Sequence, residues 1–161
     1  MKNGDLGDNL SSIPVRVVLP DGRVFERSDV LGKARISDDL EGESKEVAAD
    51  IATYGYLYAY LNSALSAAES QFAAWKSGQY AHAKANGVNI VTHDGSVLQK
   101  AKPSEKEVEA SYRMDAQYAV FVNSISELRG NMELFRSLYY AHRSKSDQIS
   151  NLIRMSVIAE R

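Results

Sequence analysis

Three arginines recur at a fixed interval in the last third of the sequence: Arg129, Arg136 and Arg143 stand seven residues apart. On a helix a seven-residue step returns to the same edge, so they would form a row of guanidinium groups about 10.5 Å apart. Guanidinium forks bind phosphate oxygens in pairs, and such a row suits the backbone of a flexible single strand. Acids on a facing helix would silence it. Between Ile51 and Asn86 the only acid is Glu69, so an intrachain partner drawn from that stretch serves one arginine at most. Lys145 follows the row, and Lys76 and Lys84 lie in the stretch that would face it. These six side chains are the candidate nucleic-acid-binding residues. The plainer reading is a solvated charge stripe that only keeps a helix in water.

Other chemistry is thin. His82, His93 and His142 are far apart, and none has a carboxylate three or four residues away, so seam-edge and hairpin-turn roles fit them better than ligation. Glu105, Glu107 and Glu109 are spaced by two, which scatters them around a helix start instead of gathering them into a catalytic pair. No GxxxxGK[ST], GxGxxG, GxSxG or HExxH signature occurs. Without cysteine there is no disulfide, thiolate nucleophile or cysteine-based metal site, which fits a reducing cytoplasm. No signal-like start and no run of about 18 apolar residues is present, so neither secretion nor a membrane span is expected. No cofactor is expected, and an enzyme is the least favoured class.

The elements that must carry the cations are helices. Val47, Ile51, Tyr54, Tyr58, Leu61, Leu65, Ala68, Phe72 and Trp75 recur at steps of three and four. So do Tyr118, Phe121, Ile125, Leu128, Met132, Phe135, Tyr139 and His142. Each seam is apolar along one stripe and needs another helix against it; an antiparallel pairing of the two, or a bundle of several chains, satisfies both. The first helix reads from Ser44 to the cap pair Asn86-Gly87, about 64 Å if unbroken, with Gly78 marking a bend or an end. Ser104 and Glu107 announce a capping box, and Asp115 starts a renewed helix after a break near Arg113-Met114. The polar stretch His142 to Gln148 interrupts the second seam. Beyond it, Ile149, Leu152, Ile153, Met155 and Ile158 form an apolar stripe with no seam of their own chain to cover it, and so are expected to hold subunits together.

Two hairpins complete the pattern. The first alternates Val15, Val17 and Leu19, turns at Pro20-Asp21-Gly22 and returns through Arg23 to Glu26; the second surrounds His93-Asp94-Gly95 within Val88 to Leu98. The two could pair into one small sheet. The expected fold is mainly α: a long antiparallel helical hairpin, or coiled-coil-like bundle, with a small N-terminal β-hairpin, in an oligomer. Residues 1–43 would form the hairpin and an acidic connector from Ser28 to Gly42. Residues 44–161 would form the helical domain, with 146–161 as its oligomerisation segment. Residues 1–50 hold 11 acids against 7 bases and residues 51–161 hold 10 against 12, a balance that permits a polyanion partner without demanding one.

The order Lys102-Pro103-Ser104-Glu105, Asp115-Ala116-Gln117-Tyr118, a long amphipathic helix, Arg143-Ser144-Lys145 and Leu152-Ile153-Arg154 with Glu160 resembles the phage recombination mediator (UvsY-like) family. Tyr58-Ala59-Tyr60-Leu61-Asn62 and the basic helix toward Lys84 look similar to that family's first helix, so the likeness runs from Glu46 onward. It implies a helical, ring-forming, non-enzymatic protein that binds single-stranded DNA and helps a RecA-like recombinase replace the single-strand-binding protein, in the host cytoplasm. The family's DNA-contacting bases sit at the end of the first helix. Here Ala81-His82-Ala83-Lys84-Ala85 offers one lysine where the family has a denser cluster, and the hairpin of Ile13 to Glu26 is a further departure. The rival expectation is a phage structural or assembly protein (scaffold, chaperone or connector) that binds no DNA.

Overall fold

The computed structural model describes residues 16–19, 22–26, 33, 36–91 and 94–159. The tail Met1 to Ser12, Val15, the turn residues Pro20 and Asp21, much of the Ser28 to Gly42 connector and the turn residue His93 lie outside the described residues. The chain is mainly helical, with a long pair of helices packed against each other and a small N-terminal antiparallel hairpin. It divides into two compact units, Met1–Tyr60 with Asn131–Arg161, and Leu61–Gly130.

In the first unit β1 (Arg16–Val18) pairs antiparallel with β2 (Val24–Glu26), placing Val17 opposite Phe25. Alternation sends Val17 and Leu19 to one face, where both are buried. Gly22 takes φ 84° in the turn and its N–H donates to the Leu19 carbonyl. A lone hairpin is marginal in water. This one is held by Phe25, whose ring meets Phe135 edge-on at 5.2 Å.

Helix α1 (Leu40–Asn86) begins at Leu40 and not at Ser44. Asp39 caps it: its Oδ1 accepts from the Gly42 N–H at 3.0 Å, and its carbonyl accepts from Glu43. The cap lies inside what reads as an acidic connector, where an aspartate looks like one more charge. Against this part of α1 lies the later part of α3 (Ala116–Ala159). Glu43 meets Lys145, Asp50 meets His142, and Tyr54 meets Phe135, so the two run antiparallel. Val47, Leu57, Phe135, Leu138 and Ile149 fill the interior. At Gly55 the Tyr139 ring lies close against the α1 backbone, since a Cβ there would stand 3.2 Å from it.

The second unit pairs the later part of α1 with the start of α3. Phe72 stacks on Phe121 at 5.3 Å and meets Tyr118 at 5.5 Å, while Trp75 meets Tyr112 at 5.9 Å. Gly78 does not end α1, which runs on to Asn86. Gly87 then takes φ 75° and donates its N–H to the Ala83 carbonyl. A Cβ at Gly87 would lie 2.5 Å from the Lys100 carbonyl oxygen, so both conformation and space require glycine there.

Strands β3 (Val88–Val91) and β4 (Val97–Lys100) pair antiparallel. Ala83, Val88 and Val108 form a small core, with Tyr80, Ile90 and Tyr112 against it. The two hairpins remain separate two-stranded sheets and do not merge. Each is anchored within its own unit, Phe25 on Phe135 and Val88 on Val108 of α2 (Glu105–Arg113), while Val91, Val97 and Leu98 of the second hairpin stay exposed. The start of α2 follows the expected box: the Glu107 carboxylate accepts from both the backbone and the hydroxyl of Ser104 at 2.8 Å. Asp115 restarts the chain as α3, accepting from the Gln117 N–H at 2.8 Å.

Candidate nucleic-acid interface

The six candidate cations meet different fates. Arg129 donates to Glu69 at 2.7 Å, the one facing acid that the sequence offers. Arg136 also has a partner, Glu133, one turn back on its own helix at 3.4 Å. Counting acids only on the facing helix hid that pair, although the three-residue spacing was in the sequence. Arg143 is exposed, stands 5.8 Å above the Tyr139 ring, and has no ion pair among the described residues. Lys76 lies 4.5 Å over the Phe72 ring, and Lys84 sits over Tyr80 while donating to the Pro103 carbonyl at 3.1 Å.

Lys145 leaves the exposed edge altogether. It is 7% exposed, ion-paired with Glu43, and donates to the Lys33 carbonyl at 2.6 Å. The physical reason is positional: Lys145 and Ile149 continue the steps of three and four from His142, so the seam does not stop at His142 but passes through a lysine. Ile149 is accordingly buried within its own chain, which takes it out of the set expected to await a second subunit. The rest of that set differs: Leu152, Met155 and Ile158 are exposed, joined by Val157, and Ile153 is half-buried. Among the described residues nothing covers this stripe.

Around Lys145 the first unit holds a polar cluster that the sequence does not announce. Lys33 pairs with Asp50 at 2.5 Å, and Asp50 Oδ2 lies 3.7 Å from His142 Nε2. His142 Nδ1 donates to the Leu138 carbonyl at 2.9 Å, leaving Nε2 buried without a hydrogen bond. His142 is thus an interior residue, not an edge one, and its carboxylate neighbour comes through space from the other helix. A cavity of about 330 Å³ opens beside Lys33, Glu43, Glu46, Asp50 and Lys145. Lys145, with help from the Ser37 hydroxyl, holds the Glu43 carboxyl below the usual carboxylate range. Among the described residues no group of three or more metal-binding side chains occurs. His82 is exposed and contacts Asn86, one turn ahead on the same helix.

The aromatics also divide. Phe72, Trp75, Tyr118 and Phe121 belong to the helix pairing, as their seam positions imply. Tyr56 and Tyr60 lie off the seam, and Tyr56 is 60% exposed. Their rings are nearly parallel, 17° apart in plane with centroids at 6.3 Å, and the Arg23 guanidinium lies 5.7 Å over Tyr56. No described helix is long and apolar enough to cross a membrane. No protein-family model, curated protein or solved structure matches the chain.

Proposed function

We propose that the chain is a single-stranded-DNA-binding recombination mediator of the phage type, a homo-oligomer that assists a RecA-like recombinase in displacing the single-strand-binding protein in the host cytoplasm. The observation that carries this reading is the combination, on the last part of α3, of an exposed apolar stripe and an arginine with no acid partner among the described residues. Leu152, Met155 and Ile158 call for a second helix, and a further copy of the same chain supplies one. Every copy added brings another Arg143. One such arginine per chain is a weak site, but several on linked subunits bind a continuous strand through effective concentration.

A gel-shift titration tests this. Binding of single-stranded DNA is expected to fall steeply with salt, because phosphate contacts release counterions. Arg143→Gln is expected to weaken it by tenfold or more in an oligomer that sediments unchanged, whereas serine at Leu152, Met155 and Ile158 should yield monomers. No binding even at low salt would overturn the reading. A second reading, a phage scaffold, chaperone or connector, draws on the neutralisation of Arg129, Arg136 and Lys145 by Glu69, Glu133 and Glu43. It requires an intact oligomer that ignores DNA.

A further inference from the structure

Aromatic rings off a seam need their own explanation. The seam of α1 takes Tyr54 and Leu61 into the interior, yet Tyr56 and Tyr60 lie off it as a nearly parallel pair. Tyr60 is half-buried, but burial does not account for Tyr56, which exposes more than half of its surface, and a large ring left in water forgoes the gain that drives a core together. Nor do they contact the rings of α3. Among described residues their aromatic contact is with each other, and the cation over Tyr56 is Arg23, which follows the turn of the first hairpin.

The neighbourhood repeats the same chemistry. Gly55, the residue before Tyr56, admits the Tyr139 ring against the α1 backbone, and Arg143 stands over that ring. Tyr56, next along α1 from this glycine, has the Arg23 guanidinium over its ring, and next to Tyr139 on α3 Tyr140 is 55% exposed. Flat π-faces beside guanidinium cations are what an unpaired nucleic acid strand recognises: bases stack on rings whatever their identity, while the backbone phosphates find the cations. A duplex keeps its bases stacked on one another and offers the rings nothing.

We infer that Tyr56 and Tyr60 form a base-stacking platform for single-stranded nucleic acid, with Arg143, over the Tyr139 ring that meets neighbouring Gly55, as the cation for its backbone. This deepens the DNA-binding reading above and rests on it. Arg143 holds the backbone, and the tyrosine pair holds bases, so the two contributions differ in salt dependence. Stacking releases no counterions. Loss of the rings lowers affinity at every salt concentration and leaves the slope against salt unchanged.

The experiment compares binding of a short oligothymidylate with that of an abasic strand of equal length, by fluorescence anisotropy at fixed salt. The wild-type chain is expected to prefer the base-bearing strand by about tenfold or more, a typical effect of aromatic–base stacking. Tyr56→Ala with Tyr60→Ala is expected to erase that preference, and Tyr56→Phe with Tyr60→Phe to keep it. Equal binding of the two strands by the wild type overturns the platform and leaves DNA binding standing, without reliance on any variant. Retention of the preference by the alanine variant also overturns it, as does an alanine variant whose only change is its oligomeric state. Failure of the wild type to bind either strand at low salt removes the underlying reading as well.

Discussion

In the first unit the contact between α1 and α3 encloses Asp50, His142 and Lys145 beside the Tyr54 ring; in the second the same two helices meet through half-buried rings and the buried Leu61, Leu65 and Ile125, with no buried charge among the described residues. Both halves descend from one sequence pattern, apolar or bulky residues at steps of three and four. The difference teaches that heptad spacing fixes which edge faces a partner but not what chemistry fills it. Stacked rings tolerate small shifts in register. Buried charges do not, because Glu43 must find Lys145 and Asp50 must find Lys33 and His142.

The sharpest way to break this comparison is to remove a ring from each half. Phe135 is fully buried and touches both Phe25 and Tyr54, so Phe135→Ala leaves a cavity between hairpin and helices. A loss of about 4 kcal/mol is expected in denaturant melts. Phe72→Ala, at a half-buried site, should cost about half of that. Equal losses would show that the two halves do not differ in how tightly they are packed.

The next largest effect concerns charge. Lys145→Ala strands the Glu43 carboxylate in a nearly closed site, and removing one partner of a buried pair typically costs about 3 kcal/mol. Pairing Lys145→Met with Glu43→Leu should recover most of that loss, since apolar groups of similar volume often replace a buried ion pair without penalty. A double variant as unstable as the single one would mean that Lys145 acts through its contact with the Lys33 carbonyl and not through Glu43.

Much of the fold was legible because it obeys local rules. The seams, the Gly87 stop, the Glu107 box and the Asp115 restart all arise within a few residues of one another, where spacing and capping chemistry act directly. The candidate site was harder to read for a physical reason: whether a cation is free depends on groups brought close by folding. Arg129 took the one facing acid, which the sequence left open to any one of the three arginines. Arg136 found one on its own helix that a search of the facing helix passes over. Lys145 looked like one more base in a polar stretch, and only the continued step from His142 to Ile149 hints that it points inward. Tyr56 and Tyr60 fall off the steps of three and four, and spacing alone does not say which off-seam ring stays in water.

The smallest expected effect separates local from long-range order by titration. Lys100, with the backbone and hydroxyl of Ser104, lowers the Glu107 carboxyl to about 2, and Lys145 lowers Glu43 below its ordinary value near 4.5. Because both folded values are depressed, each carboxylate stabilises the chain fully above the unfolded value near 4.5. That contribution fades as pH falls, through about 2 for Glu107. The partners differ in distance along the chain: Lys100 is seven residues from Glu107, while Lys145 belongs to the other long helix. Carboxyl titration by NMR in Lys145→Ala should therefore raise Glu43 toward 4.5 and leave Glu107 near 2. Lys100→Ala should do the reverse. If Lys145→Ala moved both carboxyls together, the ordering of α2 would depend on the charged seam, and the two halves would have to be treated as one cooperative structure.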